Sequence, residues 1–341
     1  MPRLINIDSG RVMVVTDLHG AYTIYARYRD RFLELRAQGE VDILLLCGDL
    51  IHSEGPAEAD GSVELALDLL RLRRELGEGV ITLLGNHELP HLYGMTLMKG
   101  NHLYTPRFEK TMTEAQRAEI MPFFESLPFY IRTRAGVSIA HAGACLAAYS
   151  PAAWAGLINY SHAHELAKVE ALLAGQDRAS LRAGMGELSG ESYADMVAEY
   201  LGLTDPNHPR YDDLLRGALT TSPAFDNVWE ALFNKNEHED ADTYPDTLTT
   251  FLARLSEDYA LQSWLVSGHI KVRGGHALVA RRQLRLASWT HAIPNEAGQY
   301  LLFDAARPIT SANGLRAGLN SIFTPTQTPT ANATPHPHSQ L

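Results

Sequence analysis

Five short apolar runs of the chain end in polar residues of the kind that bind metal ions or transfer protons. These residues are Asp17, His19, Asp49, Asn86, His87, His141 and His269. Oxygen and imidazole ligands suit divalent Mn, Fe, Zn or Ni, and the lack of thiolates in these clusters argues against a structural zinc site. Gly48, Gly85 and Gly268 border three clusters, where they permit sharp turns and close approach of the backbone. The residue types therefore indicate a metal site in which a carboxylate such as Asp49 bridges two ions about 3.5 to 4 Å apart.

Strand-like and helix-like segments alternate in the first half of the chain. Val12–Thr16, Ile43–Cys47 and Val80–Leu84 are continuous apolar runs, and Ala21–Ala37 carries apolar residues at helical spacing. Such strands, separated by amphipathic helices, are typical of a sheet covered on both faces, so we predict an α/β layered fold. Because strands of an open α/β sheet present their carboxyl ends at one edge, the polar clusters would meet there. Further strands are predicted at Tyr130–Thr133, Val137–Ala140, Trp264–Ser267, Ala277–Ala280, Leu284–Ala287 and Tyr300–Phe303.

The rest of the chain divides into a helical insertion and a tail. From about 150 to 234, Ala, Leu, Glu and Tyr dominate and strand patterns are scarce, which predicts a mostly helical insertion. We expect this insertion to belong to one domain that spans residues 1–310. Residues 324–341 are rich in Thr, Pro, Ala, Asn and His without periodicity, so they bury too little apolar surface to offset the entropy of ordering. This segment is predicted to be a disordered C-terminal tail.

Composition argues against several classes of protein. The 40 acidic and 29 basic side chains give a formal net charge of −11, which argues against broad nucleic-acid binding because that needs a positive surface facing the phosphates. No apolar run approaches the ~18 to 20 residues of a membrane-spanning helix, so no membrane partner is expected. Cys47 and Cys145 are too few for a disulfide framework, and the sequence does not begin with a secretory signal pattern. Together these features favour a cytoplasmic protein.

Taken as a set, the polar clusters form an ordered series of motifs. They read Asp17-x-His19, Gly48-Asp49, Gly85-Asn86-His87-Glu88, His141 and Gly268-His269. The series resembles the signature of the calcineurin-like metallophosphoesterase superfamily. The Asp-Leu-His-Gly sequence of the first motif and Glu88 at the end of the third resemble the motifs of its phosphoprotein phosphatase branch. This branch includes serine/threonine phosphatases and diadenosine tetraphosphatases. The resemblance implies a four-layer α/β/β/α sandwich with the site at one end of the paired sheets.

The resemblance also implies a role for each motif residue. The first metal ion would be bound by Asp17, His19 and Asp49, and the second by Asp49, Asn86, His141 and His269. His87 corresponds to a histidine near the leaving-group oxygen that does not bind metal. The implied cofactors are two divalent ions, with Mn the first choice and Fe, Zn or Ni as alternatives.

The function implied is hydrolysis of phosphate esters by a metal-bridging hydroxide, with His87 protonating the leaving group. The implied substrate is a phosphorylated small molecule, a nucleotide or a phosphoprotein. The implied activity is that of a phosphomonoesterase similar to protein phosphatases. A nucleotide or dinucleoside polyphosphate hydrolase, or a phosphodiesterase, is the alternative within the same chemistry. A catalytically silent, metal-bound scaffold is an alternative of another class, disfavoured because all six ligands and His87 are present.

The second motif departs from the pattern of the branch. There the motif usually continues with an Asp that orients the catalytic histidine and an Arg that binds phosphate, whereas this chain has His52 and Ser53 at those positions. The loss of the Arg removes bidentate recognition of phosphate, which a point charge does not reproduce. This departure favours nucleotide and phosphodiester substrates more than the motif set alone would.

Three residues outside the ligand set are candidate substrate contacts. Lys271 stands where many superfamily members carry a second histidine of the last motif, a position that the phosphoprotein phosphatase branch fills with water. Lys271 or Arg273 could supply the cation that the missing Arg would have provided. His52 flanks the second motif and could line the site. His276 and His291 are assigned to the sheet rather than to the metals.

Overall fold

Two β-sheets form the centre of the protein, as seen in a computed structural model that describes residues 2–100 and 102–323. In chain order the strands are β1 (Leu4–Ile7), β2 (Arg11–Val15), β3 (Ile43–Leu46), β4 (Val80–Thr82), β5 (Met98–Lys99), β6 (His102–Leu103), β7 (Tyr130–Thr133), β8 (Val137–Ala140), β9 (Trp264–Ser267), β10 (Val272–Arg273), β11 (His276–Val279), β12 (Gln283–Leu286), β13 (Ala292–Ile293), β14 (Tyr300–Asp304) and β15 (Leu319–Asn320). The predicted disordered tail, 324–341, lies outside the described residues.

The order of the strands brings the predicted clusters to common edges. The larger sheet has the order β1-β7-β8-β9-β12-β11, and the smaller has the order β15-β14-β2-β3-β4. In the smaller sheet β2, β3 and β4 are parallel, and in the larger sheet β8, β9 and β12 are parallel. The residues that follow these strands therefore leave each sheet at its carboxyl edge.

Alternating side chains of the strands explain the layers. In β2, Val12 and Val14 belong to an apolar cluster with Ile139 and Val266 of the larger sheet, so the two sheets pack face to face. The intervening residue Met13 belongs to a second cluster, which includes helical residues on the outer side. This two-residue period is that of a strand buried on both faces. The predicted α/β class and its α/β/β/α layering are confirmed.

Helices cover the outer faces of the sheets. They are α1 (Tyr22–Ala37), α2 (Ser62–Leu76), α3 (Leu89–Tyr93), α4 (Thr105–Thr111), α5 (Glu114–Ser126), α6 (Pro151–Ile158), α7 (His162–Ala174), α8 (Arg178–Ser189), α9 (Tyr193–Leu201), α10 (Asp213–Leu219), α11 (Pro223–Phe233), α12 (Asn236–Glu239), α13 (Tyr244–Ser256) and α14 (Ala312–Arg316). Among the described residues, no helix is both long and apolar enough to cross a bilayer.

The helices α6 to α13 follow one another without a strand from Pro151 to Ser256. α6, α11 and α13 contribute to the cluster that covers the larger sheet, where Trp154 stacks on Tyr130 with ring centroids 5.6 Å apart. α7, α9 and α10 share a separate apolar cluster that includes Leu173, Val197 and Leu214. The helical segment thus has one part fixed to the sheet and one part with its own small core.

Candidate metal centre

The six predicted ligands lie together at the carboxyl edges of the two sheets. Asp17 and His19 follow β2, Asp49 follows β3, Asn86 follows β4, His141 follows β8 and His269 follows β9. Because β2, β3 and β4 are parallel and the two sheets pack face to face, loops from both sheets meet at this end of the molecule. Among the described residues, three groups of side chains at this edge have ligand atoms within 4.8 Å of one another, and the third group, His19, Asp49 and His87, shares members with the two groups described next.

The first group contains Asp17, His19 and His291, each of which offers a ligand atom within 4.8 Å of the others. Nδ1 of His291 lies 3.3 Å from Oδ1 of Asp17. Within the described structure Oδ2 of Asp17, both ring nitrogens of His19 and Nδ1 of His291 are buried without a hydrogen-bond partner. Buried polar atoms are normally paired, so several unpaired polar atoms this close together fit a bound cation.

The second group contains Asp49, His141 and His269, again with ligand atoms within 4.8 Å of one another. His141 hydrogen-bonds the carbonyl of Cys47 through Nδ1 at 2.8 Å, so this nitrogen carries the proton and Nε2 carries a lone pair. The side-chain amide of Asn86 adjoins this nitrogen, 2.8 Å from Nε2 of His141 and 3.0 Å from Nδ1 of His269, so imidazole, carboxylate and amide groups converge here. The donor set therefore fits a divalent ion with nitrogen and oxygen ligands.

Asp49 lies between the two groups. Its Oδ2 is 3.5 Å from Nε2 of His19, and its Oδ1 is 3.4 Å from Nε2 of His141. Burial, together with the nearby carboxylates of Glu88 and Asp17, raises the pKa of Asp49 well above its usual value. An ionised carboxylate at this depth therefore needs a nearby positive charge, and two divalent ions would supply it.

Burial also keeps His19, His141 and His269 neutral. It lowers the pKa of His19 to about 3 and that of His141 to about 4. Neutral imidazole is the form that binds metal ions, because a protonated ring has no free lone pair. At neutral pH these rings are available as ligands without first losing a proton.

Unusual backbone angles are concentrated around the candidate ligands. Five of the eight non-glycine residues with positive φ in the described ranges belong to this region, namely Asp17, His19, Asp49, His52 and His269. This left-handed conformation is unfavourable for residues other than glycine, so it persists only where the surrounding structure imposes it. Such strained residues are concentrated at functional sites.

Two glycines are required by close packing at the same edge. A Cβ atom on Gly48, whose φ is +84°, would lie 2.6 Å from the backbone of Gly85. A Cβ atom on Gly268 would lie 2.2 Å from Oδ2 of Asp17. A side chain at either position would displace backbone or a ligand carboxylate. The glycines that the sequence places beside the clusters thus allow the loops to approach closely.

Glu88 fastens the loops after β3 and β4 to each other. Its fully buried carboxylate accepts hydrogen bonds from the backbone N–H groups of Asp49 at 3.0 Å, Leu50 at 2.8 Å and Gly85 at 2.9 Å. Burial raises the pKa of Glu88 to about 7. Glu88 is a structural anchor that holds Asp49 beside Asn86.

The sequence comparison identifies the family. Residues 10–201 match the family model described as calcineurin-like phosphoesterase. The chain belongs to this family. With the metal-ligand groups at its sheet edge, the protein is a metal-dependent phosphoesterase, and the resemblance read from the motifs is confirmed.

Several solved phosphatase structures are similar to this protein. A serine/threonine phosphatase from Saccharomyces cerevisiae, with similarity to human phosphatase PP5, is 13% identical over 88% of this chain and 76% of that chain, with a TM-score of 0.45. A cold-active protein tyrosine phosphatase is 14% identical over 89% of this chain and 75% of that chain, with a TM-score of 0.44. A putative diadenosine tetraphosphatase is 27% identical over 42% of this chain and 55% of that chain, with a TM-score of 0.26. No curated protein sequence matches the chain. These similarities are too low to identify a substrate, and the family assignment rests on the sequence model.

His87 of the phosphoesterase lies at the opening of the metal centre. Its side chain is 12% exposed, whereas that of Asp49 beside it is 1% exposed. Nε2 of His87 is 4.0 Å from Oδ2 of Asp49, and its backbone N–H donates to Oδ1 of Asp49 at 3.1 Å. The other ring nitrogen, Nδ1, points away from the metal-ligand groups and lies 3.0 Å from Nδ1 of His52. One nitrogen therefore faces the ligand cluster and the other faces the protein.

The three expected substrate contacts occupy different positions. His52 is only 1% exposed and lies behind His87, and its role as a substrate contact stays a prediction. Lys271 is exposed and pairs with Oε2 of Glu54 at 3.1 Å. Arg273 is exposed on β10. The two cations remain at the surface, but neither belongs to the metal-ligand groups.

The sequence analysis missed two residues of this region. His291 was assigned to the sheet, but it lies beside Asp17 after β12, and β12 runs parallel to β9. The available signal was a polar residue shortly after the predicted strand Leu284–Ala287, but the sequence does not show that this strand lies beside β9. Glu109 of α4, which contacts His91 at 2.7 Å, carried no comparable signal because no motif surrounds it.

Proposed function

We propose that the phosphoesterase hydrolyses phosphomonoesters, in the manner of protein phosphatases, with two divalent ions held at the sheet edge. The observation that carries this proposal is the position of Asp49, which has one carboxylate oxygen within 3.5 Å of His19 and the other within 3.4 Å of His141. A carboxylate that faces two groups of ligands is suited to join two ions.

Each ion would be held by a distinct set of side chains. Asp17, His19 and Asp49 would hold the first, and Asp49, Asn86, His141 and His269 the second. The contact between His291 and Asp17 supports His291 as a further ligand of the first ion. When bound, the ions would lower the pKa of water for attack on phosphorus and offset the charge of the phosphate. We propose Mn as the metal, with Fe, Zn and Ni as the alternatives, because the nitrogen and oxygen donors suit all four.

His87 would act as the general acid. Its Nε2 faces the ligand cluster 4.0 Å from Asp49, while Nδ1 is held by a protein partner at 3.0 Å. A proton on Nε2 could pass to the departing oxygen as the bond to phosphorus breaks, and such catalysis contributes ~10²- to 10⁴-fold. The contribution would grow as the leaving group becomes more basic.

The alternative within the same chemistry is hydrolysis of nucleotides, dinucleoside polyphosphates or phosphodiesters. The observation that favours it is the residue pair His52 and Ser53 in place of the Asp and Arg of the branch motif. Without that Arg, recognition of a terminal phosphate has lost its bidentate partner. We also propose a cytoplasmic location, which the free and buried Cys47 and Cys145 support.

The test combines metal analysis with a substrate panel. The purified protein is loaded with Mn²⁺, its metal content is measured, and kcat/KM is determined for p-nitrophenyl phosphate, a phosphoserine peptide, bis-p-nitrophenyl phosphate and diadenosine tetraphosphate. We expect two ions per chain and the highest kcat/KM for the phosphomonoesters. A preference for the diester or the dinucleotide would favour the alternative instead.

Two histidine variants provide a matched comparison. His141→Ala should lose metal and activity, whereas His164→Ala, which changes an exposed histidine of α7, should retain both. A wild-type protein that binds no metal and hydrolyses no aryl phosphate after loading with Mn²⁺, Fe²⁺, Ni²⁺ or Zn²⁺ would support the silent scaffold and contradict the proposal.

A further inference from the structure

A continuous line of buried side chains extends from His87 away from the metal centre. Nδ1 of His87 lies 3.0 Å from Nδ1 of His52, and Nε2 of His52 lies 2.8 Å from Nε2 of His91. Nδ1 of His91 lies 2.7 Å from Oε1 of Glu109. His52, His91 and Glu109 are 1%, 2% and 6% exposed, so water does not compete for these hydrogen bonds. We call these four residues the histidine relay.

Two arginines fix the charge at the far end of the relay. Oε2 of Glu109 accepts from Arg117 of α5 at 2.5 Å and from Arg210, which precedes α10, at 2.6 Å. Burial by itself would raise the pKa of Glu109, but His91 and the two arginines hold this pKa well below its usual range. Glu109 is therefore ionised, and as a carboxylate it can only accept hydrogen bonds.

An acceptor at one end determines the direction of every hydrogen bond in the relay. His91 must donate from Nδ1 to Glu109, which leaves its Nε2 as an acceptor. His52 then donates from Nε2 to His91, so its Nδ1 accepts in turn. Burial lowers the pKa of both rings, so each is neutral and carries a single proton. In the hydrogen bond between His87 and His52, Nδ1 of His87 must therefore be the donor.

We propose that Glu109, acting through His91 and His52, is the positioning group that fixes the ring and tautomer of His87. This inference rests on the proposed role of His87 as general acid. With its Nδ1 proton donated to His52, His87 directs the lone pair of Nε2 at the metal centre, where this nitrogen takes up a proton from water and passes it to the departing oxygen. The relay takes the place of the Asp that the branch motif carries at position 52. Arg210 connects the helical segment to the same carboxylate, which gives this part of the insertion a role in catalysis.

The tautomer can be measured without enzymatic activity. Histidines are labelled with ¹⁵N, and the protonated ring nitrogen of His87 is read from two-bond ¹⁵N–¹H correlations of metal-free and Zn²⁺-loaded protein, with His87→Gln for assignment. We expect the proton on Nδ1 in the wild type. In Glu109→Gln the amide can donate to His91, so the relay should lose its direction and the His87 signal should shift. A wild-type His87 that is protonated only on Nε2 would overturn the proposal.

Kinetics provide the second readout. Glu109→Gln should lower kcat for phenyl phosphate about 10- to 100-fold. The same variant should leave kcat for p-nitrophenyl phosphate and both KM values nearly unchanged, because a good leaving group needs no proton. Glu114→Gln is the matched control, since Glu114 also faces Arg210, at 3.6 Å, but is 67% exposed and does not contact a histidine. It should leave the ratio of the two kcat values unchanged.

Two further variants keep the proposal testable if Glu109→Gln fails to fold. His91→Phe replaces one ring by another of similar size and interrupts the relay, so it should reproduce the change in the kcat ratio. His52→Asp places a carboxylate directly beside His87, and it should restore the wild-type ratio when combined with His91→Phe. Wild-type ratios in both Glu109→Gln and His91→Phe, together with a strong leaving-group effect in His87→Ala, would overturn the relay but leave the proposed function intact. If His87→Ala itself shows no leaving-group effect, the proposed role of His87 fails.

Discussion

The metal centre and the histidine relay are adjacent, and both are built from buried histidines, but their ring nitrogens differ. In the metal centre both nitrogens of His19 and one each of His269 and His291 are buried without a hydrogen-bond partner in the part of the chain that the structure describes. In the relay both nitrogens of His52 and His91 are paired at 3.0 Å or less. Unpaired nitrogens are suited to bind something else, whereas paired nitrogens hold a neighbour in place.

The two regions also differ in the elements that form them. The candidate ligands follow parallel strands of the sheets, and several have left-handed backbone conformations. The far half of the relay is built from helices: His91 lies in α3 and Glu109 in α4, where Glu109 accepts from Arg117 of α5. The contrast predicts that the histidines with unpaired nitrogens at the sheet edge bind an ion, whereas the fully paired His52 and His91 hold a neighbouring ring in place. The variants below test this distinction.

Asp49→Asn is expected to have the largest effect. The change removes the charge that joins the two ligand groups, so metal content and activity should fall together. The loss of turnover should exceed the ~10²- to 10⁴-fold that removal of a general acid causes. Metal content by mass spectrometry and hydrolysis of p-nitrophenyl phosphate measure both effects. Full occupancy with normal turnover would contradict the bridging position of Asp49.

His87→Ala should come next and should separate metal binding from proton transfer. The variant keeps all ligands, so its metal content should equal that of the wild type. Its kcat for phenyl phosphate should fall by ~10²-fold or more, and its kcat for p-nitrophenyl phosphate should fall much less. Equal losses with the two substrates would argue against general acid catalysis by His87.

His291→Ala compares the two kinds of histidine directly. If its unpaired nitrogen binds the first ion, affinity for one of the two ions should fall about 10- to 100-fold, the range seen when a metal site loses a supporting group. His91→Phe, which changes a fully paired histidine, should leave metal affinity unchanged. Titration with Mn²⁺ followed by electron paramagnetic resonance measures both. Equal Mn²⁺ affinities in His291→Ala and His91→Phe would show that an unpaired ring nitrogen does not mark a metal ligand in this protein.

Lys271→Ala should have the smallest effect. The ammonium is exposed and pairs with Glu54 at the surface, so the free energy of unfolding should change by less than about 1 kcal/mol. If Lys271 nevertheless contacts phosphate, KM should rise while kcat stays the same. Thermal unfolding and steady-state kinetics separate these results, and an unchanged KM would exclude Lys271 as a substrate contact.

Most of the central strands were predictable because apolar runs report burial on both faces. The strands at Tyr130–Thr133, Val137–Ala140 and Trp264–Ser267 have the predicted bounds. β1 at Leu4–Ile7 was missed, because its pattern is short and half exposed. The helical segment extends to Ser256, past the expected end near 234, because α12 and α13 continue it before β9 begins.

The sequence alone determined the set of candidate ligands. Each of them lies within four residues of the end of a strand, and neighbouring parallel strands end at a common edge, so local motifs are enough to predict a shared site. The tertiary structure alone decided which other residues join that site. His291 reaches Asp17 only because β12 lies next to β9, and Glu109 meets Arg210 across 101 positions of the chain. Contacts of that kind depend on how helices and sheets pack, and short-range sequence patterns carry little information about packing.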